Sequence, residues 1–509
     1  MIKEITPREY QKSIFETSKE KNTLVVLPTG LGKTLIALQL ADYRLQKYPE
    51  SKILFLAPTR PLVEQHYHYF KKNSDFEDMH IFTGKINPKK RKEIWTRASI
   101  IFSTPQCIDN DLKHNLISLE NVSLLIEDEC HRCLKNYSYT FVAKKYIEQS
   151  KHPRILGLTA SPSSEAEKIR EICKNLDINA VEIRTRYSED VQPYLQELKI
   201  EVIPIEFPDE LRKIRVFLKN IYDKKIEELK NRKLVFQQVN KVVLLNLQKK
   251  LHGMISGGNH HFNVLRGVSV CAQAIKIQHA LELLETQTIE TLFYYLQELY
   301  DQARQKKSKA AVQLVNQKDF QEAYLQTTTL YHTNFEHPKL KKMLDIIKEL
   351  SKGNFKAIIF SQYRDTVNKI NNDLTKAGFK SSIFIGQSSS RLDGLSQKEQ
   401  QLILHKFKEG EINFLISTSI GEEGLDIPEV DLVLFYEPIP SAIRKIQRAG
   451  RTARLKPGKL IILMTKGTRD EVYHWAAYHK ERKMHAAIEE FKNGLNKSYP
   501  QKGLTDFKT

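Results

Sequence analysis

Short apolar, β-branched runs alternate with helical patterns from residue 23 to about 185: Thr23-Leu-Val-Val, Lys52-Ile-Leu-Phe-Leu, Ser99-Ile-Ile-Phe, Ser123-Leu-Leu-Ile and Arg154-Ile-Leu-Gly-Leu. Runs that stay apolar without alternating suit strands buried on both faces, so the rhythm predicts a parallel sheet wrapped by helices. It returns from about residue 336 with Lys356-Ala-Ile-Ile-Phe, Ser382-Ile-Phe-Ile, Asn413-Phe-Leu-Ile, Asp431-Leu-Val-Leu-Phe-Tyr and Lys459-Leu-Ile-Ile-Leu-Met. Between the two, residues 206–335 carry almost no strand signal. Their apolar positions fall at helical spacing instead, as in Leu211-Ile214-Leu218-Ile221 and Ile277-Leu281-Leu284. The expected organisation is an α/β domain over 1–205, an all-helical insertion over 206–335, a second α/β domain over 336–485, and a linker or frayed tail over 486–509.

Composition narrows the partner. With 80 Lys and Arg against 61 Asp and Glu, the net charge is +19. Basic surface gains affinity for a polyanion by releasing its condensed counterions, which makes nucleic acid the natural candidate. Part of that charge lies in the insertion, at Lys224-Lys225, Lys230, Arg232-Lys233, Lys249-Lys250, Arg304, Lys306-Lys307 and Lys309. Five cysteines fit a reducing compartment with no disulfide framework, and the lone Cys130-His-Arg-Cys133 pair lacks the second pair a zinc site needs. No stretch of about 18 apolar residues occurs, so the expectation is a soluble, cytoplasmic protein with no membrane partner.

The chemistry sits at strand ends. Leu-Pro-Thr-Gly-Leu-Gly-Lys-Thr over residues 27–34 follows the first apolar run and precedes a helical pattern. This is the setting of a phosphate-binding loop. Thr29, Gly30 and Gly32 supply the turn and backbone N–H groups, Lys33 reaches the β and γ oxygens, and Thr34 can ligate Mg²⁺. One departure is Leu27, where the general pattern has glycine. After the strand at 123–126 comes Glu127-Asp-Glu-Cys-His131. Asp128 can hold the metal's coordination sphere while Glu129 orients and deprotonates water, the two acidic roles phosphoryl transfer needs. Farther on, Gln447-Arg448-Ala-Gly-Arg451-Thr-Ala-Arg454 spaces its arginines along one helix face, where a guanidinium can act as an arginine finger.

In order and content these segments resemble a superfamily 2 helicase of the DEAH/DECH type. Arg8-Glu-Tyr-Gln11 is similar to the adenine-reading Q motif, residues 27–34 to motif I, Asp128-Glu-Cys-His131 to motif II, and Thr159-Ala-Ser161 to motif III. Ile359-Phe-Ser-Gln-Tyr363 resembles motif IV, Ser417-Thr-Ser-Ile-Gly-Glu-Glu-Gly-Leu-Asp426 motif V, and residues 447–454 motif VI. Within the superfamily the nearest resemblance is to archaeal Hef and the Fanconi anaemia group M translocase. It is carried by Asn136-Tyr-Ser-Tyr, Tyr187-Ser-Glu-Asp-Val, His279-Ala-Leu-Glu-Leu-Leu-Glu-Thr-Gln287, His337-Pro-Lys-Leu340 and Gly467-Thr-Arg-Asp-Glu-Val-Tyr-His-Trp475.

The resemblance implies two RecA-like domains around a helical grip, and an ATP-dependent motor that remodels forks and junctions of DNA in repair or replication restart. By the same resemblance Lys33, Thr34, Asp128, Glu129, Gln447, Arg451, Arg454 and Asp426 act on Mg²⁺·ATP. Arg8 and Gln11 would read adenine. Arg60, Thr83, Gly84, Thr104, Gln362 and Thr418 would lie along the nucleic-acid backbone, where contacts position without reading sequence. His131 would sense the cleft. Glu481-Arg-Lys483 resembles the start of the nuclease signature some Hef proteins carry, but Ala487 stands where its aspartate would be, so a nuclease-free form is expected; by the same resemblance a separate nuclease or a sliding clamp is a partner. Cys130 stands where Hef-like proteins carry alanine and matches Dicer and the antiviral RNA sensors, so a duplex-RNA-stimulated ATPase is the alternative.

Overall fold

The computed structural model describes residues 2–135, 137–160, 165–186, 188–236, 239–351, 353, 355–386, 394–418, 427–441, 444, 448–449, 452 and 457–498. Seven strands form the first sheet: β1 (Thr23–Val26), β2 (Lys52–Leu56), β3 (Met79–Phe82), β4 (Ile100–Ser103), β5 (Val122–Asp128), β6 (Ile155–Thr159) and β7 (Ala180–Ile183). They lie side by side in the order β3-β4-β2-β5-β6-β1-β7, with every pairing parallel. Strands β1, β4, β5 and β6 are buried along their length, as their predominantly apolar runs require.

The second sheet contains β8 (Leu198–Ile205), β9 (Ala357–Phe360), β10 (Ser381–Phe384), β11 (Phe414–Ser417), β12 (Leu432–Phe435) and β13 (Gly458–Thr465), in the order β10-β11-β9-β12-β13-β8. Here the structure corrects the expected boundary at residue 205. Strand β8 pairs in parallel with β13 over its whole length, from Leu198 opposite Gly458 to Ile205 opposite Thr465, and so belongs to the second sheet. Its half-exposed edge position accommodates Lys199, Glu201 and Pro204, which break the apolar run used to find strands.

Six helices, Asp209–Asn231, Lys241–Ser256, Phe262–Thr286, Ile289–Arg304, Lys309–Val315 and Lys318–His332, make up the insertion, with no strand among its described residues. The two amphipathic stripes read from the sequence close on one another: Leu211, Ile214, Leu218 and Ile221 share a core with Ile277, Leu281 and Leu284. A second correction concerns the chain's end. The helix Arg469–Ser498 runs through residue 486 without a break, and Met484 on it is buried in the core of the first α/β unit. That contact rewards continuing the helix where sequence periodicity fades. No helix of the described residues is long and apolar enough to cross a membrane.

Candidate active site

After β1 the chain turns through Leu27 to Gly32 and enters the helix Lys33–Lys47. Gly30 and Gly32 take φ of 84° and 79°. A Cβ at Gly32 would lie 2.3 Å from Gln11 Nε2, so this position needs glycine for conformation and for space. The helix Glu9–Glu20 buttresses the loop: the Gln11 amide and the Tyr10 hydroxyl both donate to the Leu31 carbonyl, at 3.1 and 2.9 Å. Gln11 Oε1 accepts the Arg8 N–H at 2.9 Å, and the Arg8 guanidinium lies 5.1 Å from the Tyr194 ring centre. Lys33 Nζ donates to the Leu27 carbonyl at 2.9 Å, across the mouth of the loop. Leu27 itself packs into the core, which accounts for an apolar residue where other phosphate loops have glycine.

The acidic segment leaves β5 with Glu129 at φ 52°, a left-handed residue that turns the chain sharply into the short turn Cys130–Arg132. His66, which the sequence reading missed, stands between two predicted metal holders. Its Nε2 lies 2.8 Å from Asp128 Oδ2 and its Nδ1 3.4 Å from the Thr34 hydroxyl. Burial alone would raise the Asp128 pKa, but contact with His66 and the charge of Lys33 outweigh it and hold the carboxylate below its ordinary range. The Tyr139 hydroxyl donates to the Asp128 carbonyl at 2.7 Å, fixing the backbone beneath the acid. Glu129 Oε2 is buried without a hydrogen bond and lies 3.2 Å from His131 Nδ1, which is itself 3.2 Å from the Thr159 hydroxyl. The acidic segment is thereby linked to the end of β6.

These residues fit a nucleotide with its cation. A glycine cradle with no room for a Cβ faces a lysine on a replaceable carbonyl bond, and a buried carboxylate oxygen keeps spare accepting capacity. Glu127 has a different environment: it is fully buried beside the Cys133 thiol, and burial pushes its carboxyl well above the usual range. Among the described residues, no group of three or more His, Cys, Asp and Glu is placed to hold a metal on its own.

The predicted nucleic-acid residues occupy neighbouring strand ends. Arg60, Thr83 with Gly84, and Thr104 follow β2, β3 and β4, three adjacent strands, while the phosphate loop, acidic segment and Thr159 follow β1, β5 and β6. One edge of one sheet is divided between two sets of groups. Arg60 bonds Glu64 at 2.7 Å, and Arg91, fully engaged with Asp111, donates to the carbonyls of Thr83 and Ile86 to hold that loop. Gln362 and Thr418 follow β9 and β11 on the second sheet. Arg448, the first of the three arginines, has its guanidinium buried over the Phe360 ring at 4.6 Å, inside the second unit. Gln447, Arg451, Arg454 and Asp426 lie outside the described residues.

Three segments that carried the nearest resemblance, 279–287, 337–340 and 467–475, meet at a buried joint. Lys339 Nζ lies 2.5 Å from Asp470 Oδ2, both side chains fully buried, and donates to the Thr286 carbonyl at 3.1 Å. Nothing in their local spacing revealed that they touch.

Together, a phosphate loop and acidic segment at one sheet edge, a second α/β unit and a helical bundle between them define a helicase-type, nucleic-acid-dependent ATPase. Family models agree. Residues 4–164 match the restriction-enzyme family "Type III restriction enzyme, res subunit", residues 338–456 match "Helicase conserved C-terminal domain", and residues 210–330 match the helical bundle of a family named for ATP-dependent RNA helicases. The crystal structure of the Pyrococcus furiosus Hef helicase domain is similar to the chain at 43% identity, with a TM-score of 0.71, covering 92% of this chain and 98% of that one. A Methanocaldococcus jannaschii protein whose name proposes an ATP-dependent RNA helicase is 41% identical, over 97% of this chain and 62% of the relative. The Neurospora crassa ATP-dependent DNA helicase mph1 is 32% identical, over 92% of this chain and 42% of its own length. The mouse Fanconi anemia group M protein homolog is 30% identical, over 93% and 25%. The chain therefore spans less than two thirds of each of these curated relatives. It belongs to the superfamily 2 helicases, in the group that holds the Hef helicase domain and the Fanconi anaemia group M proteins.

Proposed function

We propose that the protein is an ATP-driven DNA translocase that remodels branched DNA, such as forks and junctions, in repair or replication restart. The observation that carries this reading is chain-wide similarity, helical insertion included, to the Hef helicase domain. In this reading Lys33 and the loop N–H groups hold the β and γ phosphates, and Arg8 and Gln11 read adenine. Thr34 and Asp128 would hold Mg²⁺, which when bound neutralises phosphate charge. Glu129 takes a proton from the attacking water and passes its state to Thr159 through His131. Gln447, Arg451, Arg454 and Asp426 complete the ATP site from the second unit. Arg60, Thr83, Gly84, Thr104, Gln362 and Thr418 hold the strand by its backbone, with a nuclease or sliding clamp as a further partner.

The insertion grips the duplex through lysines not already engaged. Lys224 pairs with Asp319 at 3.0 Å and Arg232 with Glu228 at 3.2 Å, whereas Lys230, Lys233, Lys249 and Lys250 are exposed. Duplex RNA is the second reading, favoured by the RNA-helicase name of the matching helical bundle. Steady-state ATP hydrolysis with forked DNA, linear duplex DNA, single-stranded DNA and duplex RNA, at one salt concentration, tests both. Strongest stimulation by forked DNA supports the first; strongest stimulation by duplex RNA overturns it in favour of the second.

A further inference from the structure

The segment Ser361-Gln-Tyr363 leaves β9 between two buried side chains from different parts of the chain. From the second unit, Glu437 Oε1 accepts the Gln362 N–H at 2.5 Å and Oε2 lies 3.2 Å from the Ser361 hydroxyl. From the insertion, Gln287 Oε1 accepts the Thr366 hydroxyl at 2.8 Å and lies 3.3 Å from that of Ser361. Thr291 of the insertion is 3.2 Å from the Thr366 hydroxyl. The Tyr363 ring packs into the insertion's own core, 5.9 Å from the His279 ring. Gln287, Ser361, Thr366 and Glu437 are all at most 1% exposed. A second set of bonds runs alongside. Arg469 donates its N–H to Glu285 at 3.1 Å and its guanidinium to the Gln278 carbonyl at 3.0 Å, and the Tyr473 hydroxyl donates to Glu282 at 2.9 Å.

A buried network with every member bonded tolerates few arrangements, because shifting one group strands another without water to replace its partner. Sliding the insertion against the second unit would break several of these bonds at once. We propose that Gln287 and Glu437 are positioning residues that lock the insertion to the segment carrying Gln362, so that the insertion and the second unit move as one arm and present Gln362 to the nucleic acid in fixed register with the helical grip. The inference rests on the reading above that Gln362 lies on the nucleic-acid backbone.

The test is a double-mutant cycle between Gln287→Ala and Gln362→Ala, read as the concentration of forked DNA giving half-maximal ATPase stimulation and, separately, as turnover without nucleic acid. Gln287→Ala is expected to raise that DNA concentration about fivefold, the effect of losing a buried hydrogen-bond acceptor, with basal turnover unchanged. In the Gln362→Ala background it should add almost nothing, because both act through one contact. If Gln362→Ala weakens stimulation while Gln287→Ala does nothing, or the two add fully, the coupling is overturned and the contact at Gln362 survives. If Gln362→Ala itself has no effect, the placement of nucleic acid on Gln362 falls and the proposal falls with it. Thr366→Val, nearly isosteric but without the hydroxyl that donates to Gln287 and meets Thr291, repeats the cycle should Gln287→Ala fail to fold.

Discussion

The two α/β units share a parallel sheet with functional residues at the C-terminal strand ends, yet those residues are bonded in opposite ways. In the first unit Lys33 rests on one backbone carbonyl, Asp128 on one imidazole, and Glu129 keeps a buried oxygen with no hydrogen bond. In the second, Ser361 is bonded to Glu437, Ser361 and Thr366 both meet Gln287 of the insertion, and Asp470 is paired with Lys339, which in turn donates to the insertion's Thr286 carbonyl. Polar groups with spare capacity can meet a ligand, and polar groups closed into a network hold shape. The same place in the same architecture thus carries the phosphate loop and acidic segment in one unit and a joint to the insertion in the other.

The comparison predicts opposite losses from removing charge. Lys33→Ala should cut ATP turnover by about 10²–10³-fold with the fold intact. Phosphate release and calorimetry check it, and near-normal turnover would break the assignment of the first unit. Lys339→Met leaves Asp470 buried without its partner and should destabilise the second unit by about 3 kcal/mol, read in urea, while the folded fraction keeps hydrolysing ATP. A stable variant with lost turnover would reverse the comparison.

A pH series sharpens it. Burial pushes Glu437 up to about 7, with Lys339 and Arg448 opposing and Asp470 adding to the rise. Its folded pKa lies above the unfolded value, so the folded state holds the proton longer. The stability from that proton is complete below about 4.5 and is lost as pH rises through about 7. Glu437→Gln has no such proton, so across that window the wild type should lose on the order of 2 kcal/mol relative to the variant. Parallel unfolding curves at every pH would show that Glu437 does not titrate there. The smallest expected effect is at His66: His66→Ala should raise the Mg²⁺ needed for half-maximal turnover about tenfold, because it orients Asp128 and Thr34. An unchanged Mg²⁺ dependence would remove His66 from the site.

The sequence reading found what is contiguous. The phosphate loop packs its chemistry into residues 27–34 and the acidic segment into residues 127–131, each after an apolar run, so residue type and spacing suffice. It missed His66, which follows Arg60 on a helix with nothing local to mark it, and helical spacing alone could not show that the Arg448 side chain is buried over Phe360. It assigned residues 198–205 to the first unit because an edge strand with Lys199, Glu201 and Pro204 lacks the apolar run of a buried one.

By itself, then, the sequence determined the class of fold, the order of its units and the places of the phosphate loop and acidic segment at strand ends, since strands, helices and a phosphate loop follow from interactions among residues close along the chain. Only the tertiary structure decided which sheet takes β8, where the last helix anchors and what Glu437 and Gln287 do. Those outcomes depend on partners such as Arg469 and Glu285, 184 residues apart, whose meeting is favourable only once both units have folded around them.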